Sequence, residues 1–587
     1  LLTPELAEAA DEAANAWIKA LRHVPVDGMP FRERFTFRGD SLWWFAELYL
    51  HKTQVVDRIF RALLPLDAFV ARERVASIEV LTTDPVVRQV AWAMCRREGI
   101  RFVGAAPGRQ HRELAAVTAR AHYYVWGARL AAWGTRSRAP VAAPPKAVAF
   151  VHSAFWRGGT EEQYVGPVMR ELGARLSAGE LAAVGLGPRT SYRARTWRRR
   201  VADATDLMAH GLAPESIDTF ASMAQLRESQ DVWRRRREYR DALLRSALIQ
   251  EAAVIRGCEV WPVLEPVFLG VAYLQFPWSA HVMDQLGTAL DALQPRVAVT
   301  YAEAGGWGRA LVLEARRRGI ATVGLQHGFI YRHWMNYHHE ADEMAASARN
   351  THDAGFPAPT LTLLYDRLAA AHLKKAGHFD DASLAVTGSP RLDELAAAAR
   401  TLTPADLAQV RDQAGVPAGR RMVLVAAKFT QIASVFADLV RAVAAMDDVH
   451  LVVKRHPAEG PEGYLQAAAG SATMTVAPTT LGLAPLTRAS DLLVTVNSTA
   501  SIEAMVMGVP TLVLALPNNL SPFVDAGVMA GVESGGDVAA ALRDALAPGP
   551  ARDTWRARAE AFMRREGIQA DGGAVARAAD AIITLAR

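Results

Sequence analysis

From about Lys146 onward, short continuous apolar runs alternate with stretches in which apolar residues recur every three or four positions. The short runs predict buried strands, and the longer periodic stretches predict helices. Lys146–Val151, Leu181–Leu186, Arg296–Thr300, Ala321–Leu325, Thr360–Leu364 and Leu384–Thr387 read as strands. Val165–Leu176 and Trp307–Arg318 read as helices between them. A helical insertion is expected over about 205–290, first Arg/Ala/Leu-rich and then apolar across Val267–Leu293. Helical patterns at Leu395–Arg400 and Thr403–Ala414 and the turn Val416-Pro417-Ala418-Gly419 mark a break. A second series follows: strands at Met422–Ala427, His450–Lys454, Thr473–Val476, Leu492–Val496 and Thr511–Leu516, with helices near Ser434–Ala445, Thr499–Met507 and Asp537–Leu546.

Continuous apolar strands alternating with helices indicate parallel sheets covered on both faces. The fold class is therefore α/β, with two Rossmann-like domains facing a cleft. Residues 146–395 form the first domain and 420–570 the second, with 571–587 as a C-terminal helix. Residues 1–140 are an N-terminal α/β extension containing the apolar helix Ser41–Leu50, a strand at Ser77–Leu81 and the helix Val86–Arg97. The Ala/Pro stretch Ser137–Pro145 reads as a linker.

At 587 residues, 51% hydrophobic and 22% charged, the chain can bury several cores, which excludes a disordered protein. A net charge of +5 is too small for a dedicated nucleic-acid binder, and no nucleic-acid partner is expected. Two cysteines, Cys95 and Cys258, exclude a disulfide framework and point to a reducing cytoplasm. No run reaches the ~18–20 apolar residues that span a bilayer. The first residues carry four acidic side chains and no basic segment, so they do not read as a signal peptide. Membrane contact is expected to be peripheral, at the inner face of the cell membrane. Two arginine-rich stretches bear on it: Arg193, Arg195 and Arg198–Arg200 around Trp197, and Arg234–Arg237 with Arg240 beside Trp233 and Tyr239. Basic residues among aromatics suit anionic lipid head groups or an acidic glycan. A solvated helix face with nearby acids is the alternative.

Four motifs carry chemistry. In TYAEAGGWGRA, residues 300–310, Glu303 follows an apolar strand, where a carboxylate can face a cleft as a general base. In GLQHGFIY, residues 324–331, Gln326, His327 and Gly328 end another strand; His327 can move a proton, and Gln326 can meet an acceptor. In VVKRHPAEG, residues 452–460, Lys454, Arg455 and His456 concentrate positive charge suited to a phosphate or diphosphate, and Pro457 fixes the turn. In TVNSTASIEAMVMGVPTL, residues 495–512, Ser498 and Thr499 with Glu503 stand at the start of a helix and read as anion binding or as capping. Lys428 ends the first strand of the second series and adds a possible phosphate contact. His152, Arg157, Gly158 and Gly159 follow the first strand, where an acceptor can enter, and TGSPRLDEL, residues 387–395, can bring Ser389 or Arg391 to the cleft. The cluster of His333, Tyr337, His338, His339 and Glu340 has metal-ligand composition, but adjacent His338 and His339 do not suit a helical metal face. No metal and no cofactor are expected.

QHG at a strand end in the first domain, with K-R-H-P and S-T-x-x-x-E-A in the second, resembles GT-B glycosyltransferases. The likeness is to bacterial surface-polysaccharide enzymes: capsule Kdo transferases, polysialyltransferase-like enzymes and CDP-glycerol glycerophosphotransferases. It covers about Arg296–Leu516. The resemblance implies a nucleotide-sugar donor as substrate, a CMP-sugar foremost, and a glycan or glycolipid acceptor. It places His456, Ser498 and Thr499 on the donor phosphate and the acceptor's base at Glu303. That family often has two acids before the glycine, whereas Glu303-Ala304-Gly305 has one. UDP-N-acetylglucosamine 2-epimerases are similar in architecture, so an epimerase or hydrolase, or a non-catalytic glycan-binding scaffold, stands as an alternative.

Overall fold

The structure is a computed structural model. It describes residues 2–153, 156–157, 161–162, 164–187, 214–301, 303–330, 332–456, 459–533 and 535–587. Gly158, Gly159, Pro457 and the stretch Arg193–Arg200 lie outside the described residues, and Arg157 is described by its backbone alone.

Two parallel sheets organise the chain. The first contains β1 (Ala147–His152), β2 (Leu181–Leu186), β3 (Glu215–Ser216), β4 (Val297–Tyr301), β5 (Ala321–Leu325), β6 (Leu361–Leu364) and β7 (Leu384–Val386). Their spatial order is β3-β2-β1-β4-β5-β6-β7. The second contains β8 (Arg421–Val425), β9 (Val449–Val453), β10 (Met474–Val476), β11 (Leu492–Thr495), β12 (Thr511–Leu516) and β13 (Ala530–Glu533). It runs β10-β9-β8-β11-β12-β13. In both sheets the order reverses beside the first strand. An open parallel sheet has its ligand crevice at such a reversal, outside the carboxyl ends of the strands. The reversals fall between β1 and β4 and between β8 and β11.

The strands are apolar on both faces because helices cover both. In β1, Val148 and Phe150 join the core shared with the N-terminal helices, while Ala147, Ala149 and Val151 join the opposite core. That alternation is the two-residue period of a strand. The opposite face is covered by the helix Gly166–Arg175 and by the helix Ala574–Leu585, whose Ala578, Ala579 and Ile582 are buried. The last helix thus returns to the first sheet after the chain has completed the second. Its start is held by Asp393, which accepts from the backbone N–H groups of Gly572 and Ala574 at 2.9 Å each.

The N-terminal residues do not fold apart from the first sheet. Trp43 and Trp44 on the helix Trp43–Lys52 and Phe31 share one core with Phe276, Leu286 and Leu311. A charged cluster lies inside this layer. The Lys19 Nζ is 2.6 Å from Glu47 Oε2 and 2.9 Å from Glu343 Oε2, and Arg309 also reaches Glu47. Burial alone would raise both carboxyls; beside Lys19 and Arg309 the Glu47 carboxyl is held low, while Glu343 is raised. Among the described residues, the expected insertion holds β3, a strand of the sheet itself, ahead of the helix Arg227–Arg234.

The two units meet along the helices Pro390–Thr401 and Ala500–Val506. Leu392, Ile502, Met505, Phe523 and Phe562 form a small core there, against which Phe329 packs with its ring 5.6 Å from that of Phe523.

Candidate functional site

A cavity of about 200 Å³ lies between the units, beyond the carboxyl ends of the first sheet's strands. Tyr164, Gln326, His327 and Gly328 line it from the first unit, and Thr499, Ile502 and Glu503 from the second. Tyr365, Asp366, Ser389 and Arg391, between them in sequence, add further polar groups to the wall, with Phe329 and Leu392 beside them.

His327 sits where the apolar β5 ends, so its ring leaves the sheet into an aromatic collar. The ring centroids of Tyr164, Tyr301 and Trp334 lie 5.8–5.9 Å from it. Its Nδ1 is buried without a hydrogen-bond partner among the described residues. Burial in this collar lowers the imidazole pKa from 6.5 to about 4, so the ring is neutral near pH 7. His152, at the end of β1, belongs to the same collar: its ring is 5.2 Å from Tyr301, and its N–H donates to the Tyr301 hydroxyl at 3.1 Å. Burial, with the neighbouring His327, lowers its pKa to about 4 too.

Glu303 departs from expectation. It is only 2% exposed and does not line the cavity. Gly324 of β5 makes room for it, since a Cβ there would lie 2.5 Å from the Glu303 Cγ. The Tyr337 hydroxyl donates to Oε1 at 2.8 Å, and Oε2 has no partner among the described residues. Burial pushes the carboxyl up to about 7, against the lowering effect of the Tyr337 bond. The expected cleft base is thus a buried acid behind the site. The residues that hold it, Gly324 and Tyr337, were not legible as its partners, because each reads locally as a strand glycine and a member of the histidine-rich segment.

Gln326 lines the cavity with its amide already engaged. Its Nε2 donates to the Gly328 carbonyl at 2.8 Å, and its Oε1 accepts from the Tyr365 N–H at 2.7 Å. It braces the turn that presents His327.

On the second unit the expected phosphate residues divide. Thr499 is exposed and faces the cavity. Ser498 Oγ accepts from the Ala500 N–H at 3.2 Å, a local turn bond just ahead of the N-cap Thr499, and the helix that follows is only seven residues long. Glu503 is committed to Arg391, whose Nη2 lies 2.9 Å from its Oε1. Lys454 turns away from the cavity: its Nζ donates to the carbonyls of Pro478 at 3.3 Å, Thr479 at 3.4 Å and Leu481. Arg455 Nη1 donates to the Glu459 carbonyl at 2.5 Å. Lys428 and His456 are exposed at the ends of β8 and β9. None of Lys428, Lys454, Arg455 or His456 lines the cavity between the units. The contiguous basic run thus spreads over three tasks, two of them structural.

Among the described residues, the side chains grouped closely enough for a metal ion are Glu47, His339 and Glu343. The Lys19 ammonium sits among them, 3.2 Å from His339 Nδ1 as well as on both carboxylates. That set already holds its cation, and it is a fixed one.

No protein-family model matches the chain, and no curated protein matches it. Solved structures do resemble it. A UDP-GlcNAc 2-epimerase from Neisseria meningitidis bound to UDP-GlcNAc is 12% identical with a TM-score of 0.44, over 75% of this chain and 99% of that one. A glycosyltransferase from Rickettsia africae is 10% identical with a TM-score of 0.45, over 75% and 98%. The wall teichoic acid polymerase TagF is 11% identical with a TM-score of 0.39, over 80% and 97%.

Proposed function

We propose that this chain is a GT-B-type glycosyltransferase. It moves a sugar from a nucleotide donor held mainly by the second unit to a glycan or glycolipid acceptor entering from the first. The carrying observation is the shared cavity, whose wall brings together a neutral imidazole from one unit, its buried Nδ1 without a partner among the described residues, with Thr499 of the other and Arg391. Such a mixed wall suits a polar ligand with an anionic end.

In the proposed step, the acceptor hydroxyl gives its proton to His327 as its oxygen attacks the anomeric carbon. The bond between that carbon and the phosphate oxygen breaks, and its electron pair leaves with the phosphate. A donor phosphate in the cavity would raise the His327 pKa from its present low value, because a nearby anion favours the imidazolium. His327 thus becomes a competent proton acceptor when donor is bound. Arg391 and Thr499 in the cavity wall would bind the departing phosphate, and His456 and Lys428, outside that wall, would meet the rest of the nucleotide, by positioning and charge. A CMP-sugar is the favoured donor, on the likeness of the His456-Pro457 element.

The test is thermal stabilisation by CMP, CDP, UDP and GDP, which grows with ln(1+[L]/Kd). One nucleotide should raise the Tm, and His456→Ala should weaken donor KM or kcat by about 10²-fold. No stabilisation by any of them would overturn the reading. Free sugar or a 2-epimer formed without acceptor would move it to a hydrolase or epimerase.

A further inference from the structure

The helix His111–Ala132 buries Val117 and Ala121 and packs Tyr124, Val125 and Ala128 toward Trp233, Pro277 and His281. Its opposite face has no cover among the described residues. Tyr123 is 84% exposed, Trp126 64%, Leu130 58% and, in the turn that follows, Trp133 80%. Spacings of three, four and three residues put these four on one face. Exposed large apolar residues gathered in one stripe mark a contact surface.

The charge around the stripe indicates what covers it. Between Arg101 and Lys146 the chain has a single acid, Glu113. Arg112, Arg120 and Arg129 of this helix and Arg136 just beyond it are exposed and form no ion pair among the described residues. The helix also meets the second arginine-rich stretch. His122 contacts the Trp233 ring at 5.2 Å, and burial followed by the like charges of Arg237, Arg129 and Arg240 lowers the pKa of Arg236. Within that stretch Arg234, Arg235 and Arg240 are paired with Asp231, Glu238 and Asp241, whereas Arg237 is exposed and has no such partner among the described residues.

We propose that the helix His111–Ala132 with Trp133 is a membrane-docking surface that lies in the plane of an anionic bilayer. Tyr and Trp are the residues that settle at a lipid–water boundary, and arginines beside them attract anionic head groups. A second copy of this chain fits the face less well, because two such faces would set Arg112, Arg120, Arg129 and Arg136 against one another. No helix among the described residues is long and apolar enough to cross a membrane, so docking here means lying on the surface. The inference goes beyond the transferase reading and does not depend on it, since vesicle binding is measured without turnover.

The full chain is co-sedimented with vesicles of phosphatidylcholine alone and with about one-third phosphatidylglycerol added. The wild type should pellet with the anionic vesicles and stay largely in solution with the neutral ones. Replacing Tyr123, Trp126 and Trp133 together by Ser should reduce binding at least about tenfold. The quadruple change R112Q/R120Q/R129Q/R136Q should remove the preference for anionic lipid. Unchanged Tm in both variants, expected because the side chains are exposed, ties the losses to the surface. Failure of the wild type to bind anionic vesicles, or equal binding by the triple variant, would overturn the proposal. So would a dimer in sedimentation velocity that the triple variant dissolves, which would make the occupant a second copy.

Discussion

Arg391 and Glu503 join the two α/β units through a single carboxylate oxygen. The Nε of Arg391, on the helix after β7, donates to Glu503 Oε1 at 3.0 Å, and its Nη2 lies 2.9 Å from the same oxygen. Burial works against the Arg391 charge, and Glu503 more than restores it, leaving the guanidinium pKa raised. The pair stands in the cavity wall, so it sets the distance between the units as well as the charge of the site.

Removing it should be felt in both respects. Arg391→Ala leaves the buried Glu503 without its donor and should cost about 1–3 kcal/mol. The figure is held to the lower part of the range for buried pairs because the Arg391 side chain is 39% exposed. The same variant should weaken nucleotide binding at least tenfold. A double-mutant cycle with Glu503→Gln checks the first effect, and a coupling energy near zero would refute it.

Glu303 makes stability depend on pH. Its carboxyl is raised by burial from 4.5 to about 7, so the native state holds the proton more tightly than the unfolded chain. The stabilisation is complete below about pH 4.5 and is lost as pH rises through about 7. Glu303→Gln should flatten the fall in Tm across that window. Tyr337→Phe, which deletes the 2.8 Å hydrogen bond, should cost about 1–2 kcal/mol. An unchanged pH profile in Glu303→Gln would place the titrating group elsewhere.

The histidine collar acts in the opposite sense. His152 and His327 are lowered by burial from 6.5 to about 4, so their stabilisation is present above 6.5 and lost as pH falls through about 4. His327→Gln should lessen acid destabilisation in that window. It should also cut sugar transfer about 10²-fold while nucleotide binding persists. Full transfer by this variant would remove His327 from the mechanism.

Lys19 is the cation between Glu47 and Glu343 in the N-terminal layer. Lys19→Met leaves the buried Glu343 without its cation, while Glu47 keeps Arg309, and should destabilise by about 3–5 kcal/mol. Lys19→Ala should be partly rescued by Zn²⁺, since Glu47, His339 and Glu343 offer ligand atoms within 4.8 Å of one another. Thermal melts with and without Zn²⁺ check this, and the wild-type Tm should not respond. A Lys19→Ala protein as stable as the wild type would contradict it.

Strands β1, β2, β4, β5 and β12 were legible almost residue by residue, because a strand buried on both faces must be a continuous apolar run. The strand end carrying Gln326 and His327 was legible for the same reason: polar residues that interrupt such a run fall at the sheet's edge. The short edge strands β3 and β13 were not, since Glu215–Ser216 and Ala530–Glu533 are too short or too mixed to show a pattern. The basic run Lys454–His456 was legible as charge but not as a site, because the carbonyls of Pro478, Thr479 and Leu481 that claim Lys454 lie more than twenty residues away.

Periodicity along the chain, set by which residues must leave water, determined the two α/β series and the strand ends where chemistry collects. What only tertiary structure decided are the long-range partners: Arg391 with Glu503, Tyr337 with Glu303, Lys19 with Glu343, and the last helix with the first sheet. The reason is physical. A local pattern records burial, which acts on each residue alone, whereas an ion pair or hydrogen bond depends on where packing brings a second group from elsewhere in the chain.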